Sequence, residues 1–357
     1  MKIKTPYISL EDYCFWKRAV SSIEPTDLDP VVSVPFQIEK NSKVATAGSC
    51  FAQHVARYLR KSGFNLLVTE PAHPIMSEED ALAFNYGTYA ARFGNIYTVR
   101  QLLQLFKRAY GQFLPDENLW IDTEGHFIDP FRPQIQPNGF ESLNEFKADR
   151  DQHLSAVREA FETLDVFIFT LGLTECWEAI ADGAVFPICP GVAGGEFDPS
   201  KYRLHNFNVS EVVSDSLEFV DLLRTINPKA KMIFTVSPVP LIATAERDQH
   251  VLVANTYSKS VLRVACQEVV SQRDDVTYFP SYEIITGNYS RGVYFASDSR
   301  QIIESGVSHV MRIFLKHFSN SDINNADLVK PNNTKINSHE KEMEELVKIV
   351  CDEEAIR

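Results

Sequence analysis

The chain of 357 residues is 44% hydrophobic and 23% charged, an ordinary composition for a soluble globular protein, and it is long enough to bury a core without cross-links. Its 35 Lys and Arg against 48 Asp and Glu give a formal charge of −13, which argues against a nucleic-acid partner, because phosphate binding needs concentrated positive charge. The 6 cysteines are scattered without a Cys-x-x-Cys pair, which argues against a disulfide framework or a structural zinc site.

No targeting or membrane segment is visible in the sequence. The N-terminus lacks the apolar stretch and small-residue cleavage site of a secretory signal. The uncharged run from Met232 to Ala245 is too short to span a bilayer and contains two prolines. We therefore expect a cytoplasmic protein without a membrane span, and neither a cofactor nor a metal ion; the oligomeric state stays open.

Apolar runs and amphipathic segments alternate along the first half of the chain. The pattern predicts a strand, a helix, a second strand and two further helices, at Val44 to Thr46, Phe51 to Ser62, Asn65 to Glu70, Thr98 to Ala109 and Asn144 to Leu164. The second half continues with three strands, each followed by a helix. The strands begin at Val166, Lys231 and Asp275, and the helices begin at Ser210, Val251 and Glu304.

Strands separated by helices predict an α/β fold with a parallel sheet. We expect one such domain over residues 1–319, with loop insertions near residues 115–140 and 187–208, both rich in Pro and Gly. The residues after it, 320–357, read as a polar linker followed by a short acidic helix.

Ser49 lies where the first predicted strand passes into a helix. Ligand sites of parallel α/β sheets lie at such strand ends, and the amides of a helix N-terminus can hold an oxyanion. Ser49 is therefore a candidate nucleophile, although a serine in this place also serves as a helix N-cap. The adjacent Cys50 is a rival nucleophile, but its side chain is expected to face the interior.

Seven stretches of the sequence, the first of which contains Ser49, support its role as a nucleophile. Gly48 to Ala52 spells GSCFA, and the others are RFGNIYTVRQLLQLF from Arg92, FTLGLTECW from Phe169, TVSPVPL from Thr235, NTYSKSVLR from Asn255, YFPSYEIITG from Tyr278 and YFASDSR from Tyr294. In this order they resemble the GSCFA family, which is related to SGNH or GDSL-type hydrolases and esterases. The resemblance implies a three-layer α/β/α sandwich with a parallel, flavodoxin-like sheet.

The resemblance also implies site residues. Ser49 matches the nucleophile of SGNH enzymes, and Gly172 and Thr174 stand in the stretch that supplies the oxyanion hole. Thr174 replaces the usual asparagine, for which Asn95 is the candidate substitute, with Gly94 as a further amide donor. These residues would bind the oxyanion or the substrate.

The histidine that should activate the serine is missing. Asp298 stands where the family relatives place Asp-x-x-His, but residue 301 is Gln, which cannot accept a proton. We therefore expect another base, with His250 first and Glu175 second, ahead of His54, His73, His205 and His309. Arg300 is expected to pair with Asp298 or to contact a substrate anion, and Trp177 to stack on a sugar or to lie in the core.

The sequence thus supports two functions. The first is an SGNH-like esterase or O-acyltransferase that acts through an acyl-serine on an acylated carbohydrate or similar small ester. The second is a GSCFA-type binding module that keeps the pocket without the base, and thiol chemistry at Cys50 is a third, weaker reading.

Overall fold

The computed structural model describes residues 5–319 and residue 352. The strands in these residues are β1 (Val44–Gly48), β2 (Trp120–Ile121), β3 (Phe127–Ile128), β4 (Val166–Leu171), β5 (Glu175–Ala179), β6 (Val185–Phe186), β7 (Tyr202–Asn206), β8 (Lys231–Val236) and β9 (Val276–Tyr278). The α-helices are α1 (Phe51–Lys61), α2 (Glu78–Ala83), α3 (Val99–Ala109), α4 (Leu143–Thr163), α5 (Val209–Ile226), α6 (Val251–Val270), α7 (Ser281–Thr286) and α8 (Glu304–Phe318).

The central sheet is parallel, with the strand order β1-β4-β8-β9. Every residue of β1 and β4 is buried, which explains why these strands are uninterrupted apolar or small-residue runs. Gly48 at the end of β1 lies opposite Thr170 of β4. The carboxyl ends of the strands therefore meet at one edge, where Ser49 follows β1.

Alternate residues of the strands face two separate cores. Phe167 and Phe169 pack with residues of α3, α4, α5 and α6, whereas Val166 and Ile168 pack with residues of α1, α7 and α8. The period of two follows from strand geometry, and it places helices on both faces of the sheet. The predicted three-layer α/β/α sandwich with a parallel sheet is confirmed.

The segment from Asn65 to Glu70 is the predicted strand that the structure does not contain. Leu66 forms only an isolated bridge with Val44. Beyond it the chain turns away from the sheet, because the Thr69 hydroxyl donates hydrogen bonds to the carbonyls of Ala90 and Ala156. Tertiary hydrogen bonds thus override a local run of apolar residues.

The two Pro- and Gly-rich segments contribute to two small β-sheets: β2 and β3 lie within residues 115–140 and β7 within residues 187–208, whereas β5 and β6 precede the second segment. β2 and β3 make a hairpin, and β6, β5 and β7 make a separate antiparallel sheet. The two parts share a core around Trp120 and Phe186. Gly195 lies against Trp120 so closely that a Cβ there would be 2.9 Å from the indole ring. The segment from 187 to 208 is thus packed against the segment from 115 to 140.

The predicted linker and acidic helix at 320–357 lie outside the described residues, apart from residue 352. Within the part of the chain that the structure does describe, no helix has the length and apolar character needed to cross a bilayer.

Candidate active site

Ser49 lies in the turn between β1 and α1. Its amide donates a 3.1 Å hydrogen bond to the carbonyl of Thr170, which continues the strand pairing. The residue is only 3% exposed, and its Oγ has no hydrogen-bond partner among the described residues. The N-cap of α1 is Cys50, and no side chain caps the helix. The hydroxyl of Ser49 therefore does not serve as the helix cap.

Gly172, directly after β4, packs against Ser49. A Cβ on Gly172 would lie 2.9 Å from the Cβ of Ser49 and 3.1 Å from the carbonyl oxygen of Tyr97. The Gly172 amide donates a 2.9 Å hydrogen bond to that same carbonyl. The structure thus places Gly172 beside Ser49, but its amide is already used to hold the strand end.

Two hydrogen-bond donors fix the orientation of the Asn95 side-chain amide by bonding to its oxygen. Its Oδ1 lies 3.1 Å from Nε2 of Gln53 and 3.1 Å from the hydroxyl of Tyr89. The same hydroxyl lies 3.2 Å from the carbonyl oxygen of Ser49. Nδ2 of Asn95 therefore points away from Gln53 and Tyr89, and it donates a 3.0 Å hydrogen bond to the carboxylate of Asp352. Asn95 is an amide donor with a fixed orientation, next to the backbone of Ser49.

Gly94 precedes Asn95 in the left-handed region, with φ 68°. It lines a small cavity together with Asn95, Arg132 and Asp352. A glycine at this position allows the turn that brings Asn95 toward Ser49.

Thr174 and Glu175 bind other parts of the fold. The hydroxyl of Thr174 donates a 2.7 Å hydrogen bond to Oδ1 of Asn206, and its amide donates to the hydroxyl of Ser258. The carboxylate of Glu175 accepts hydrogen bonds from the Thr244 hydroxyl at 2.7 Å and from the amide of residue 245 at 3.2 Å. Burial raises the pKa of Glu175 despite these hydrogen bonds. Neither donor group of Thr174 is directed to an oxyanion here.

His250 is the N-cap residue of α6. Its Nδ1 accepts a 3.1 Å hydrogen bond from the Leu252 amide, and its side chain is exposed. His54 is half-buried beside Arg57, and loss of solvent around its ring, together with the Arg57 charge, lowers the pKa of His54 to about 3, so its ring is neutral. No hydrogen bond within residues 5–319 joins a histidine to Oγ of Ser49.

The closing motif forms a tight turn without a histidine. Oδ1 of Asp298 accepts hydrogen bonds of 3.0 Å from the amides of Arg300 and Gln301, and Ser299 between them has φ 56°. Nε of Arg300 donates to the carbonyl of Pro240. The guanidinium of Arg300 is thus bonded to the loop after β8, whereas the carboxylate of Asp298 caps its own turn.

Cys50 and Trp177 both pack against other parts of the fold. Cys50 is buried, as its predicted inward direction requires. Trp177 lies on β5 of the antiparallel sheet β6-β5-β7, and its ring packs edge-on against Phe197 with 5.1 Å between centroids.

Lys259 contacts the candidate site, and sequence reasoning missed it. The residue is 1% exposed, and its Nζ donates a 2.7 Å hydrogen bond to the carbonyl of Gly172. A signal was present, because Lys259 shares the apolar face of α6 with Leu262 and Cys266, at helical spacing. A lysine on such a face has to find a buried acceptor.

A buried cluster of charged side chains lies next to the turn at Gly94 and Asn95. Arg132 donates to Asp129 at 3.0 Å and to Asp149 at 2.7 Å, and Arg92 donates to Asp149 at 2.6 Å. Oε2 of Glu70 accepts the backbone amide of Arg92 at 2.8 Å, and it lies 2.8 Å from Nδ1 of His153. Burial by itself would raise the pKa of Glu70, but the His153 hydrogen bond and the charge of Arg132 hold it at about 2.

The model described as the GSCFA family matches residues 43–314. Among solved structures, the chain is similar to an acetyl esterase, a serine-to-alanine mutant crystallised with an acetate ion. That match has 11% identity and a TM-score of 0.29, and it covers 75% of this chain and 92% of that chain. No curated protein matches the sequence.

Proposed function

The chain belongs to the GSCFA family, and we propose that it is an esterase or O-acyltransferase that acts through an acyl-serine at Ser49. The observation that carries the proposal is the buried Ser49 Oγ, which caps no helix and has no partner among the described residues. A buried hydroxyl without a structural role is unusual, because such groups are normally hydrogen-bonded. The substrate would be an acylated carbohydrate or a similar small ester, as the family relation implies.

In this proposal Ser49 Oγ attacks the acyl carbonyl, and the ester C–O bond breaks as the alcohol leaves with a proton. The acyl group then passes from Ser49 to water or to a sugar hydroxyl. Nδ2 of Asn95 would donate to the oxyanion of each tetrahedral intermediate, because Tyr89 and Gln53 already hold its amide in one orientation. Pre-oriented donors of this kind need no reorganisation during the reaction.

The proposed base is His250, with Glu175 second. Nδ1 of His250 accepts the Leu252 amide, so the neutral ring carries its proton on Nε2, and the ring would have to release that amide before it could take the proton of Ser49. Glu175 is half-buried, and burial favours its protonated form. Asp298, whose carboxylate accepts the backbone amide of Arg300, would hold the turn that carries Arg300. In the described contacts neither His250 nor Glu175 touches Ser49, so either one would have to approach when substrate binds.

The decisive experiment is labelling with a fluorophosphonate and hydrolysis of an aryl acetate by wild type, Ser49→Ala and Cys50→Ser. We expect wild type and Cys50→Ser to react, and Ser49→Ala to lose both activities while keeping the wild-type melting temperature within a few degrees. Labelling that survives in Ser49→Ala but not in Cys50→Ser would assign the chemistry to the thiol.

A second function, a binding module that has lost its chemistry, is favoured by one observation. Asp298 faces the amide of Gln301 where an active relative would have a histidine. In that case wild type would show neither labelling nor hydrolysis, yet would still bind acylated sugars in equilibrium dialysis.

A further inference from the structure

Residues 5–23 form an N-terminal arm that lies outside every hydrophobic core of the described chain. None of these residues is buried, and none belongs to a core cluster of the domain. Within the described residues, the hydrogen bonds and ion pairs of the arm join only its own residues, as Arg18 and Asp12 do at 2.5 Å. The domain holds the chain only from Pro25 onward, where the hydroxyl of Tyr294 donates a 3.2 Å hydrogen bond to the Pro25 carbonyl.

The arm exposes an unusual amount of apolar surface for so short a segment. Its exposed large apolar side chains are Tyr7, Ile8, Leu10, Tyr13, Trp16 and Ile23. Trp16 is 63% exposed, whereas Trp120 in the domain is 1% exposed. Single apolar side chains are normal on a protein surface, but a concentration of them marks an interaction site.

The backbone of the arm supports the same conclusion. It contains two 3₁₀ turns, Pro6–Ser9 and Asp12–Cys14, and one π-helical turn, Lys17–Ser21, and none of the three buries a residue. Helical turns this short are not stable by themselves in water, because the entropy of ordering them exceeds what one or two hydrogen bonds return. The arm therefore needs a surface to pack on.

The charges of the arm favour a protein surface and not a membrane. Lys17 and Arg18 balance Glu11 and Asp12, so the arm is formally neutral, whereas the whole chain carries −13. Helices that bind membrane surfaces carry an excess of Lys and Arg beside their apolar face, and the arm has no such excess. Two copies of an acidic chain repel each other over most of their surface, so a neutral apolar segment is where they can meet.

The exposed area of the arm matches what a dimer of arms needs. An aromatic side chain has about 150–250 Å² to bury. Tyr7, Tyr13 and Trp16 are 68%, 57% and 63% exposed. Together with the three aliphatic side chains they give roughly 500 Å² per arm, so two arms that pack together bury roughly 1,000 Å². This value reaches the lower limit for a specific protein interface.

We propose that the arms of two copies of this chain pack against each other in a two-fold dimer, with Tyr13 and Trp16 at the centre of the contact. In a two-fold contact the same surface lies on both sides of the axis. Glu11 and Lys17 form no ion pair within the described residues, and they supply opposite charges that pair across the axis. The inference does not depend on the proposed ester chemistry at Ser49.

The test is sedimentation velocity of the full-length chain in a dilution series through the micromolar range. We expect wild type to sediment as a dimer at the highest concentration. Replacing both aromatic residues, by Tyr13→Ser and Trp16→Ser, should raise the dimer dissociation constant at least about tenfold, because buried aromatic side chains dominate interfaces. Ile75→Ser is the matched control: Ile75 is 87% exposed and lies outside the arm, so this variant should dimerise as wild type does.

A second measurement reports on the arm itself. Tyr13→Ser alone keeps Trp16, and iodide should quench the tryptophan emission of this variant more strongly than that of wild type, because Trp16 is no longer shielded. Wild type that sediments as a monomer at every concentration would overturn the inference, as would an equal dissociation constant in the double variant. Equal weakening in Ile75→Ser would also contradict it. Monomeric wild type whose emission shifts on addition of phosphatidylcholine vesicles would assign the arm to a membrane instead.

Discussion

Gly172 and Ser49 are packed so closely that a single added methyl group on Gly172 would lie 2.9 Å from Ser49 Cβ. The contact joins the ends of β4 and β1, and it fixes the position of the Ser49 side chain relative to the sheet. It also explains why the third family stretch has a glycine at this point, since any side chain would push Ser49 away.

Gly172→Ala should therefore lower the free energy of unfolding by about 1–3 kcal/mol, the usual cost of overpacking, and slow fluorophosphonate labelling at least tenfold. The control is Gly125→Ala, because a Cβ on Gly125 would meet nothing within 4 Å while its φ of +91° adds backbone strain. That variant should lose stability and keep its labelling rate. Normal labelling of folded Gly172→Ala would show that the contact does not position Ser49.

Lys259→Met should destabilise the protein by about 1–3 kcal/mol, because the buried carbonyl of Gly172 loses the donor that now lies 2.7 Å away. We also expect slower labelling, since Gly172 carries the contact to Ser49. Urea unfolding and labelling rates measure the two effects. Lys229→Met removes an exposed lysine and should leave both unchanged. Wild-type behaviour of Lys259→Met would contradict the role of Lys259 in holding the strand end.

The proposed base can be separated from the helix cap at His250. Asn is a good N-cap, so His250→Asn keeps the hydrogen bond to the Leu252 amide while removing the imidazole. As the general base, His250 should contribute about 10²-fold or more, and His250→Asn should lose that factor in aryl acetate hydrolysis. Full activity would rule out His250 and move attention to Glu175, which Glu175→Gln tests in the same assay.

The buried cluster of charged side chains next to Asn95 predicts loss of stability in acid. The pKa of Glu70 is lowered from 4.5 to about 2 in the folded state, so its carboxylate stabilises the fold above about pH 4.5. This contribution should disappear as the pH falls from about 4.5 toward 2. Urea unfolding at pH 7, 4 and 3 measures it. Glu70→Gln should be less stable at pH 7 and should lose less stability on acidification; an unchanged pH dependence would show that Glu70 contributes nothing.

Local sequence pattern determined most of the architecture. The fully apolar run at Val166 has to be a buried strand, and the amphipathic segment before Ala109 has to cover one face of a sheet, because burial of apolar surface drives both. The GSCFA stretch and the six that follow it determined the family, and they indicated Ser49, Gly172 and Asn95 as candidate site residues.

Tertiary structure alone decided which groups meet. The sequence around Leu66 favours a strand, but hydrogen bonds from Thr69 to distant carbonyls turn it into a loop. The ammonium of Lys259 reaches Gly172 across 87 residues, and the carboxylate of Asp352 reaches Asn95 across 257. These partners are far apart in the sequence and meet because the fold brings buried donors next to buried acceptors. A local pattern of residues does not encode which distant group will lie there.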